Sequence, residues 1–416
     1  MAFLRSLFAG VSGLKNHQLM MDVIGNNIAN VNTIGFKRSR ATFSEMFSQT
    51  LQDASEPVGN NGGTNPIQVG LGMSLESVDT DFSQGSFQTT GISTDLAIQG
   101  SAFFIVNQGG QTLYTRDGSF TFDPTGKLVT GDGGVVQGRL ADASGNIPAG
   151  TALQNIVINH ELTSPAKATT TVDLSGNLDA SAAVGATASV SEPVFDSLGV
   201  QHTLTINYTK TGANAWSWTA AVPAPATTAA TGTITFNSDG SLNSLTGSPI
   251  AITPNGGAAA MSITLDCGVP AAAPPGNSTG ITQNAGTPTV TASSQDGYTA
   301  GSLGSVSVDS SGRLIGTFSN SQVLTLGQIM LANFNNPGGL LQVGNNDFNV
   351  SGNSGEATIT SPGGSSTIQT GMLEQSNVDL ADEFTKMITA QRGFQANARV
   401  ITVSDQFLEE VVALKR

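Results

Sequence analysis

The 416-residue chain carries little charge, which narrows the class of protein before any motif is considered. Charged residues make up 11% and aromatic residues 6%, whereas glycine accounts for 50 residues. This composition is typical of turn-rich extracellular β-proteins rather than cytosolic enzymes, and the length allows two or three domains with their own cores. Cys267 is the single cysteine, which excludes an internal disulfide and a multi-cysteine metal site.

Charge is distributed unevenly along the chain. Residues 1–50 and 371–416 hold ten of the 16 basic and nine of the 30 acidic residues, a net charge of +1. The remainder has six basic and 21 acidic residues, a net charge of −15. The acidic middle argues against nucleic acid or an anionic membrane as its partner, whereas the nearly neutral ends can pack together without repulsion.

The first 30 residues predict an amphipathic helix, because residues of one face recur at alternating spacings of three and four. That face would carry Leu4, Leu7, Val11, Leu14, Gln18, Met21, Gly25 and Ile28. No segment approaches 18 apolar residues, and the first 14 residues are too polar for a secretory signal. If the protein is extracellular, we expect export by a route that does not read a cleaved signal peptide.

Residues 39–71 combine two patterns. Helical spacing is kept by Phe43, Met46, Phe47 and Leu51. The stretch from Pro57 to Pro66 is rich in Gly and Asn, which excludes a long helix. We expect an extended linker over 39–71, which either fills space between neighbouring subunits or is disordered in a monomer.

Three short segments share one pattern, an alternating strand, a four-residue turn that ends in Gly, and a second strand. They cover residues 120–128, 234–242 and 306–314. An Asp or Asn that can accept backbone hydrogen bonds opens each turn, and a Gly in the left-handed conformation closes it. These residues are Asp123, Asn237, Asp309, Gly126, Gly240 and Gly312. The oxygen ligands are too few and wrongly spaced for calcium loops, so the segments predict structural β-hairpins.

Similar alternating runs, separated by Gly- and Pro-containing turns, predict sandwiches or barrels for the whole middle of the chain. The part from 160 to 290 is richer in Ala, Thr and Pro. We therefore expect an inserted outer β domain over 151–290, nested in a discontinuous middle β domain of 72–150 and 291–369. With a terminal helical domain of 1–38 and 370–416, the predicted fold class is multidomain α+β with two mainly antiparallel β domains.

The C-terminal segment predicts a long helix from Val378 to Lys415, which would span about 55 Å. Its coiled-coil-like seam, with polar positions at Gln391 and Asp405, also carries Leu380, Phe384, Met387, Phe394, Ala398, Ile401, Leu408 and Val412. A helix of this length needs a partner along its whole length. That partner is either the N-terminal helix, in an intramolecular antiparallel hairpin, or copies of the same chain.

Candidate catalytic or metal-binding groups are scarce. No histidine sits at a paired metal-ligand spacing, so surface or packing roles are expected for His17, His160 and His202. Residues 131–134 lack the arrangement of a phosphate loop, and no Gly-x-Ser-x-Gly motif occurs. Asp79 and Asp81 lie in a polar stretch, where we expect their carboxylates to be solvated. The sequence predicts no catalytic residue, metal or cofactor.

Trp216 and Trp218 are two residues apart on a predicted strand and face the same side. They could line a sugar-binding surface. In a domain with so few aromatic residues, a core role is favoured.

Motifs near both ends resemble those of the bacterial flagellar rod and hook proteins. Residues 26–38 read NNIANVNTIGFKR, residues 377–380 NVDL and residues 387–398 MITAQRGFQANA. Residues 85–91 and 95–106 are similar to a central segment of the same family. The motif residues are Asn26, Asn27, Asn30, Asn32, Gly35, Phe36, Lys37, Asn377, Arg392, Gly393 and Phe394. Physically, the Asn-rich run suits a helix end followed by a bend.

Within this family, residues 194–199, 202–204 and 327–340 resemble stretches of the hook members, whereas 210–300 carry no such resemblance. The resemblance implies a non-enzymatic structural subunit that self-assembles, through the apolar residues of its terminal helices, into a hollow, flexible helical tube. Such a tube acts as a universal joint that transmits torque from the rod to the filament.

The resemblance also implies partners and a location. The partners are other copies of the chain, the rod and hook–filament junction proteins at the ends, the hook cap protein during assembly, and the flagellar export apparatus, with no nucleic acid and no membrane insertion. The location is the extracellular flagellum, at the hook and basal body.

Three other functions fit part of the sequence. A distal rod protein would share the terminal motifs, but the inserted domain speaks against it. An extracellular adhesin would explain the composition but not the paired helical ends. A secreted enzyme lacks a recognisable nucleophile, metal cluster or acid–base pair.

Overall fold

The computed structural model describes residues 2–413, except 58, 60, 61, 149, 151, 160, 229 and 271–279. A helix lies at each end, α1 over Ala2–Ala29 and α2 over Leu380–Ala413. Asp379 starts α2, because its carboxylate accepts the backbone N–H groups of Ala381 at 2.9 Å and Asp382 at 3.3 Å. The predicted C-terminal helix is therefore present, and its predicted end at Lys415 lies outside the described residues.

The chain falls into two compact units. The first unit comprises residues 1–159, 306–315 and 324–416, and the second comprises 160–305 and 316–323. The terminal helices thus belong to the same compact unit as the flanking β-structure, whereas the sequence predicts a separate helical domain. The second unit begins nine residues after the start of the predicted insert of 151–290, and its main segment ends at 305 instead of 290.

Twelve short strands follow α1 before residue 160. They are β1 Ser39–Glu45, β2 Ser48–Gln52, β3 Ile67–Gly70, β4 Met73–Thr80, β5 Phe87–Thr89, β6 Leu96–Gln99, β7 Phe103–Gln108, β8 Gln111–Thr115, β9 Thr121–Phe122, β10 Leu128–Val129, β11 Val135–Leu140 and β12 Gln154–Asn155.

Past residue 160 the chain passes through the second unit. They are β13 Thr163–Ser164, β14 Thr171–Asp179, β15 Thr187–Phe195, β16 Gln201–Gly212, β17 Ala215–Ala221, β18 Thr227–Thr228, β19 Ala230–Phe236, β20 Leu242–Leu245, β21 Ile250–Thr253, β22 Met261–Asp266, β23 Ile281–Asn284, β24 Thr291–Gln295 and β25 Gly301–Val308.

The chain then returns to the first unit and reaches α2 through eight strands and one 3₁₀ turn, Pro337–Gly339. The strands are β26 Arg313–Phe318, β27 Val323–Ile329, β28 Leu331–Asn333, β29 Leu341–Gly344, β30 Asp347–Asn349, β31 Thr358–Thr360, β32 Thr367–Thr370 and β33 Met372–Glu374.

The first unit is built on a sheet with the strand order β27-β11-β7-β8-β30-β29. Strand β7 is central, and its first four residues, Phe103 to Val106, are all buried. Phe103 packs edge-to-face against Phe82, Phe334 and Phe348, with ring centroids 5.4 to 5.8 Å apart. Strands β6 and β5 pair with β32 and β33, respectively, and so hold the segment that leads into α2.

Four strands in residues 39–80 form two antiparallel pairs, and three of them, β1 to β3, occupy 16 of the 33 residues over which the sequence predicts an extended linker. Strand β1 pairs antiparallel with β4, and β2 pairs antiparallel with β3. Every residue of β2 and β3 is exposed, including Phe47 beside them. The strand pairing was not predicted, because a two-stranded ribbon that buries neither face leaves no alternation of buried and exposed residues in the sequence.

The second unit is a β-sandwich. One sheet has the order β15-β16-β17-β19-β20, and the other has the order β18-β21-β22-β14-β23, with β24 also paired to β14. Side chains from both sheets form one buried cluster that contains Trp216, Trp218 and Tyr208. The expected core role of the two tryptophans is confirmed, since 1% and 0% of their surfaces are exposed. The pairs β14–β22 and β14–β23 are parallel, which departs locally from an antiparallel pattern.

The predicted turns occur in all three hairpins. Gly126, Gly240 and Gly312 have φ values of 81°, 82° and 71°, and each donates its N–H to the carbonyl of the Asp or Asn three residues earlier. The same turn occurs twice more, at residues 142–145 and 196–199. The Asp carboxylates receive backbone N–H groups within the turns, which is a structural role.

Candidate self-assembly site

The two terminal helices pack antiparallel along their length. Gly10 lies against Ile401, Gly13 against Asn397, and His17 against Gly393, so higher numbers on α1 meet lower numbers on α2. A Cβ atom on Gly13 would stand 2.6 Å from Asn397 Nδ2, and one on Gly393 would stand 2.6 Å from His17. Glycine is thus required for this close approach. The intramolecular hairpin that the sequence left open is present.

The seam between the helices differs from the predicted apolar stripe on α1. The buried residues of α1 are Gly10, Gly13, Asn16, Ile24 and Asn27, a face displaced by about one residue from the prediction. Leu7, Leu14, Met21 and Ile28 are only half-buried, and 53% of Val11 is exposed. The side chain of Leu4 lies outside those described. Apart from Ile24, these buried residues are small or polar, so a search for apolar periodicity passes over them.

The predicted stripe on α2 is divided between the seam and the surface. Met387, Phe394, Ala398 and Ile401 are half-buried. The other predicted members, Leu380, Phe384, Leu408 and Val412, are exposed by 40%, 50%, 37% and 69%. The buried residues of α2 are Glu383, Ala390 and Ser404.

Six of the exposed apolar side chains on α2 define two patches, while Phe407, Leu408 and Val412 near its C-terminal end are also exposed. The N-terminal patch comprises Leu380, Phe384 and Ile388, and the C-terminal patch comprises Val400, Val403 and Val411, all 40% to 52% exposed. At about 100° of rotation per residue, the two patches lie on opposite flanks of the seam that faces α1. The helix pair therefore leaves apolar surface uncovered on two different sides.

The asparagines of the N-terminal motif connect α1 to the neighbouring strand and helix. Asn27 is buried, and its side-chain amide donates to Ser39 O at 2.8 Å and to Glu383 Oε2 at 3.1 Å, while its Oδ1 accepts the Ser39 N–H at 2.9 Å. Asn30 donates to Asn26 O at 2.9 Å. Asn26 and Asn32 are exposed. Asn27 thus ties α1 to both β1 and α2.

Close backbone packing and hydrogen bonds hold the bend after α1. Gly35 has a φ of 69°, and a Cβ there would stand 2.7 Å from Asp117 N, so only glycine fits. Phe36 is buried beside it. Asn377, from the C-terminal motif, accepts the Arg38 N–H at 2.8 Å and donates to Asp81 O at 2.8 Å. Of the remaining motif residues, Arg392 is exposed and Gly393 lies in the seam.

A buried ion cluster, Lys37–Glu374–Arg116, lies at this junction. Glu374 Oε1 accepts from Lys37 Nζ at 2.6 Å, and Glu374 Oε2 accepts from Arg116 Nη1 at 3.3 Å, with all three side chains fully buried. Oε1 also accepts from Gln84 Nε2 at 2.7 Å and from the Gly85 N–H at 2.9 Å. Burial lowers the pKa of Lys37 and Arg116, and the Glu374 carboxylate acts in the opposite direction.

Sequence reasoning singled out Lys37 but missed both of its partners. Arg116 and Glu374 are 79 and 337 residues away from it, and nothing in the sequence around them indicates that they are buried or paired. The carboxylates expected to be solvated are partly paired instead, since Arg38 lies 2.9 Å from Asp81 and Arg40 lies 4.0 Å from Asp79.

The structure places the other candidate groups in packing or turn roles. His17 packs in the helix seam, and His202 Nε2 lies 3.1 Å from Asp196 Oδ2. His160 lies outside the described residues. Within the described part of the chain, no cluster of potential metal ligands occurs, and no helix is long and apolar enough to cross a membrane.

Models of four flagellar domain families match the chain in order. They describe a flagella basal body rod protein at residues 7–37, a flagellar hook protein FlgE/F/G D1 domain at 97–178, a flagellar basal body protein FlaE D2 domain at 162–298, and a flagellar basal body rod FlgEFG protein C-terminal region at 369–414. These matches define a flagellar axial protein of the rod and hook class.

Individual relatives narrow the class. The chain is 40% identical to the flagellar hook proteins FlgE of Borreliella burgdorferi and Treponema pallidum, over 99% of this chain and 100% of each relative. The flagellar basal-body rod protein FlgG of Bacillus subtilis is 32% identical over the same shares. The chain belongs to the flagellar hook protein family, and it is a hook subunit rather than a distal rod protein.

A solved structure supports the fold. The Helicobacter pylori flagellar hook protein FlgE2 superimposes with a TM-score of 0.51 at 14% identity, covering 69% of this chain and 100% of that one. Terminal helices around a mostly β middle are thus confirmed as the fold class.

Proposed function

We propose that this hook subunit polymerises with copies of itself, through the exposed flanks of its helix pair, into a hollow and flexible tube. The observation that carries the proposal is the pair of apolar patches on α2, which the chain leaves uncovered. Apolar patches at this level of exposure mark protein–protein contacts, and burying them between copies would stabilise a polymer.

The position of the patches favours an open polymer over a closed dimer. A twofold dimer brings the same patch together on both subunits, whereas a helical polymer joins two different surfaces, head to tail. Two patches on opposite flanks of one helix allow each helix pair to contact a different neighbour on each side. The intramolecular α1–α2 hairpin is then the repeating element of the wall, and contacts between hairpins propagate the tube.

This role agrees with the other properties of the chain. A tube that bends while it turns would serve as a universal joint between the rod and the filament. Its subunit would have a structural and non-enzymatic role. Its partners would be the rod and junction proteins at the ends, the hook cap protein during growth, and the flagellar export apparatus, which would deliver the subunit outside the cell. The acidic, turn-rich middle of the chain suits such an extracellular position.

Phe384→Glu tests the proposal. It places a charge in the N-terminal patch at a side chain that is half exposed in the single chain, so the subunit should fold while its polymerisation is lost. Sedimentation of the purified protein over a concentration series measures assembly, and the fluorescence of Trp216 and Trp218 reports that the second unit is folded.

The matched control is Gln406→Glu, which adds the same charge at an exposed polar position of α2 outside both patches. We expect it to sediment like the unchanged protein, with short tubes visible by negative-stain microscopy. Polymers of normal length from Phe384→Glu would contradict the proposal.

A further inference from the structure

A loop of the second unit contains an exposed Asn-Gly pair. Asn255 and Gly256 lie between strands β21 and β22, and both residues are exposed. Among the described residues, neither the Asn255 side chain nor the Gly256 N–H has a hydrogen-bond partner. Gly256 has a φ of 82°, and a Cβ atom there would have nothing within 4 Å. The pair is thus open to solvent and unconstrained by neighbouring groups.

An Asn-Gly pair can modify itself. The backbone nitrogen of the glycine attacks Cγ of the asparagine, a bond from nitrogen to Cγ forms, and the side-chain amide leaves as ammonia with the proton of the attacking nitrogen. Water then opens the resulting succinimide ring at either of its carbonyls, which gives aspartate or isoaspartate. Glycine favours the attack, because no Cβ atom hinders its nitrogen.

Four Asp-Gly pairs could form the same ring, but the structure constrains their side chains. Each carboxylate accepts a hydrogen bond of 2.7 to 3.1 Å. An aspartate carboxyl is also ionised near neutral pH, and a carboxylate resists attack by an amide nitrogen. The four pairs begin at Asp117, Asp132, Asp239 and Asp296.

The attacking nitrogens differ in the same way. The N–H groups of Gly133, Gly240 and Gly297 donate at 2.6 to 3.0 Å to acceptors within three residues. A second Asn-Gly pair, at residues 61 and 62, includes a residue outside the described ones. Within the described part of the chain, the pair at Asn255 therefore combines an uncharged, unconstrained side chain with an available nitrogen.

Both flanks of the loop are anchored to the sandwich. Pro254 is buried, and the Ala259 N–H donates to Ser197 Oγ at 3.0 Å. The nearest paired residues of the two strands are Ile252 and Met261, which are both buried. The methylene group that isoaspartate adds to the backbone would therefore fall outside the paired strands, and the sandwich would stay folded.

We propose that Asn255 is a self-modification site, which converts to aspartate and isoaspartate in the folded protein. The reaction consumes one water, releases one ammonia and needs no enzyme. It adds one negative charge to a unit with two basic and eight acidic residues, so the net charge of that unit changes from −6 to −7. The converted fraction grows with the age of a subunit, and the proposal does not depend on self-assembly.

Incubation of the full-length protein at mildly alkaline pH, followed by peptide mass spectrometry, tests the site. We expect the peptide with Asn255 to gain about 1 Da and to separate into aspartate and isoaspartate forms. The four Asp-Gly pairs should stay unchanged in the folded protein and convert only when urea unfolds the chain. Native isoelectric focusing should show a more acidic species that accumulates together with the mass change.

Two glycine variants separate the reaction from a general change of the loop. Gly256→Ala places a Cβ atom beside the attacking nitrogen and should slow the conversion at least about tenfold. The matched control, Gly257→Ala, changes a neighbouring glycine that also has a positive φ and open space around it, and should keep the rate within about twofold. Three results would overturn the proposal: an unmodified Asn255 in the folded protein, equal rates in the two variants, or equally fast conversion of the folded Asp-Gly pairs.

Discussion

The sandwich of the second unit and the helix pair of the first unit differ in which side chains they bury. The sandwich buries its largest apolar side chains, Trp216 and Trp218, inside one cluster. The helix pair buries glycine and asparagine in its seam and leaves Phe384 and Val403 outside, exposed by 50% and 44%. One region buries its apolar surface within the chain, whereas the other leaves apolar surface exposed.

This contrast separates the residues that stabilise the fold from those that serve assembly. In the sandwich, apolar burial supplies most of the stabilisation, so single core substitutions should act on folding. In the helix pair, close backbone approach and a buried ion cluster position the helices, and the apolar side chains remain available for assembly. Substitutions there should act on attachment or polymerisation before they act on the fold.

The largest effect should come from Trp218→Ala. The side chain is fully buried and its indole N–H has no hydrogen-bond partner among the described groups, so the change removes packing alone. We expect the second unit to lose about 3–5 kcal/mol of unfolding free energy, measured by urea titration with Trp216 fluorescence. Val184→Ala, at a side chain that is 70% exposed in the same unit, should change it by less than about 0.5 kcal/mol. A small loss for Trp218→Ala would remove the contrast between the regions.

A pair of glycine substitutions should test the seam in finer detail. A Cβ atom on Gly13 would meet Asn397 at once, whereas one on Gly25, in the same helix, would have nothing within 4 Å. Gly13→Leu should destabilise the helix pair by about 1–3 kcal/mol through overpacking, and Gly25→Ala should stabilise it by about 0.5–1 kcal/mol through helix propensity. Hydrogen exchange of α1 measures both, and effects of the same sign would contradict the assigned seam.

The smallest effect concerns pH. Burial, followed by the nearby Asp132 carboxylate, raises the pKa of Asp347 to about 7, with Asp117 adding to the rise and a Thr115 hydrogen bond opposing it. The folded state therefore holds a proton that the unfolded chain releases near pH 4, and the stabilisation present below that pH is lost as the pH rises through 7. Asp347→Asn should unfold at a higher temperature than the unchanged protein at pH 8.5, by the equivalent of about 1 kcal/mol.

The two proteins should converge at low pH, where Asp347 is neutral in both states. Thermal unfolding at about pH 2.5, below the pKa of an unfolded Asp, and at pH 8.5 provides the comparison. Asp53→Asn, at an exposed carboxylate of the same unit, serves as the control for a change in net charge. If the difference between the two proteins were the same at both pH values, the pKa of Asp347 would not be raised in the folded state.

Local chemistry made part of this structure predictable. The turns at Asp123, Asn237 and Asp309 depend on residues within four positions, and the helical ends depend on a periodicity carried by dozens of residues. The ribbon over 39–71 was missed because neither of its faces is buried. The predicted seam on α1 was displaced from the observed one, because glycine and asparagine line the observed seam. Their small size, not their hydrophobicity, allows the helices to approach.

Contacts between residues far apart in the sequence could not be predicted either. The motif marked Lys37, Asn27 and Asn377, but nothing local to these residues names Glu374, Glu383 or Asp81 as their partners. Which charged residues meet in the interior is decided by the sheet that carries them, and the pairs β6–β32 and β5–β33 bring residues together from opposite ends of the chain. Of the residues in the exposed patches on α2, only Leu380 and Phe384 were predicted as members of the apolar stripe, and the two patches appeared only with the packed helix.

The glycines at positions 10, 13 and 393 also bear on the dimensions of a tube. Helix axes are usually 8–10 Å apart, and the smallest side chains at the contact give the shortest separation. A tube wall made from such closely packed helix pairs would be thin. For a given outer diameter, a thinner wall leaves a wider central passage. Enlarging these three residues would thicken the wall, so their missing side chains would in part set the bore of the tube.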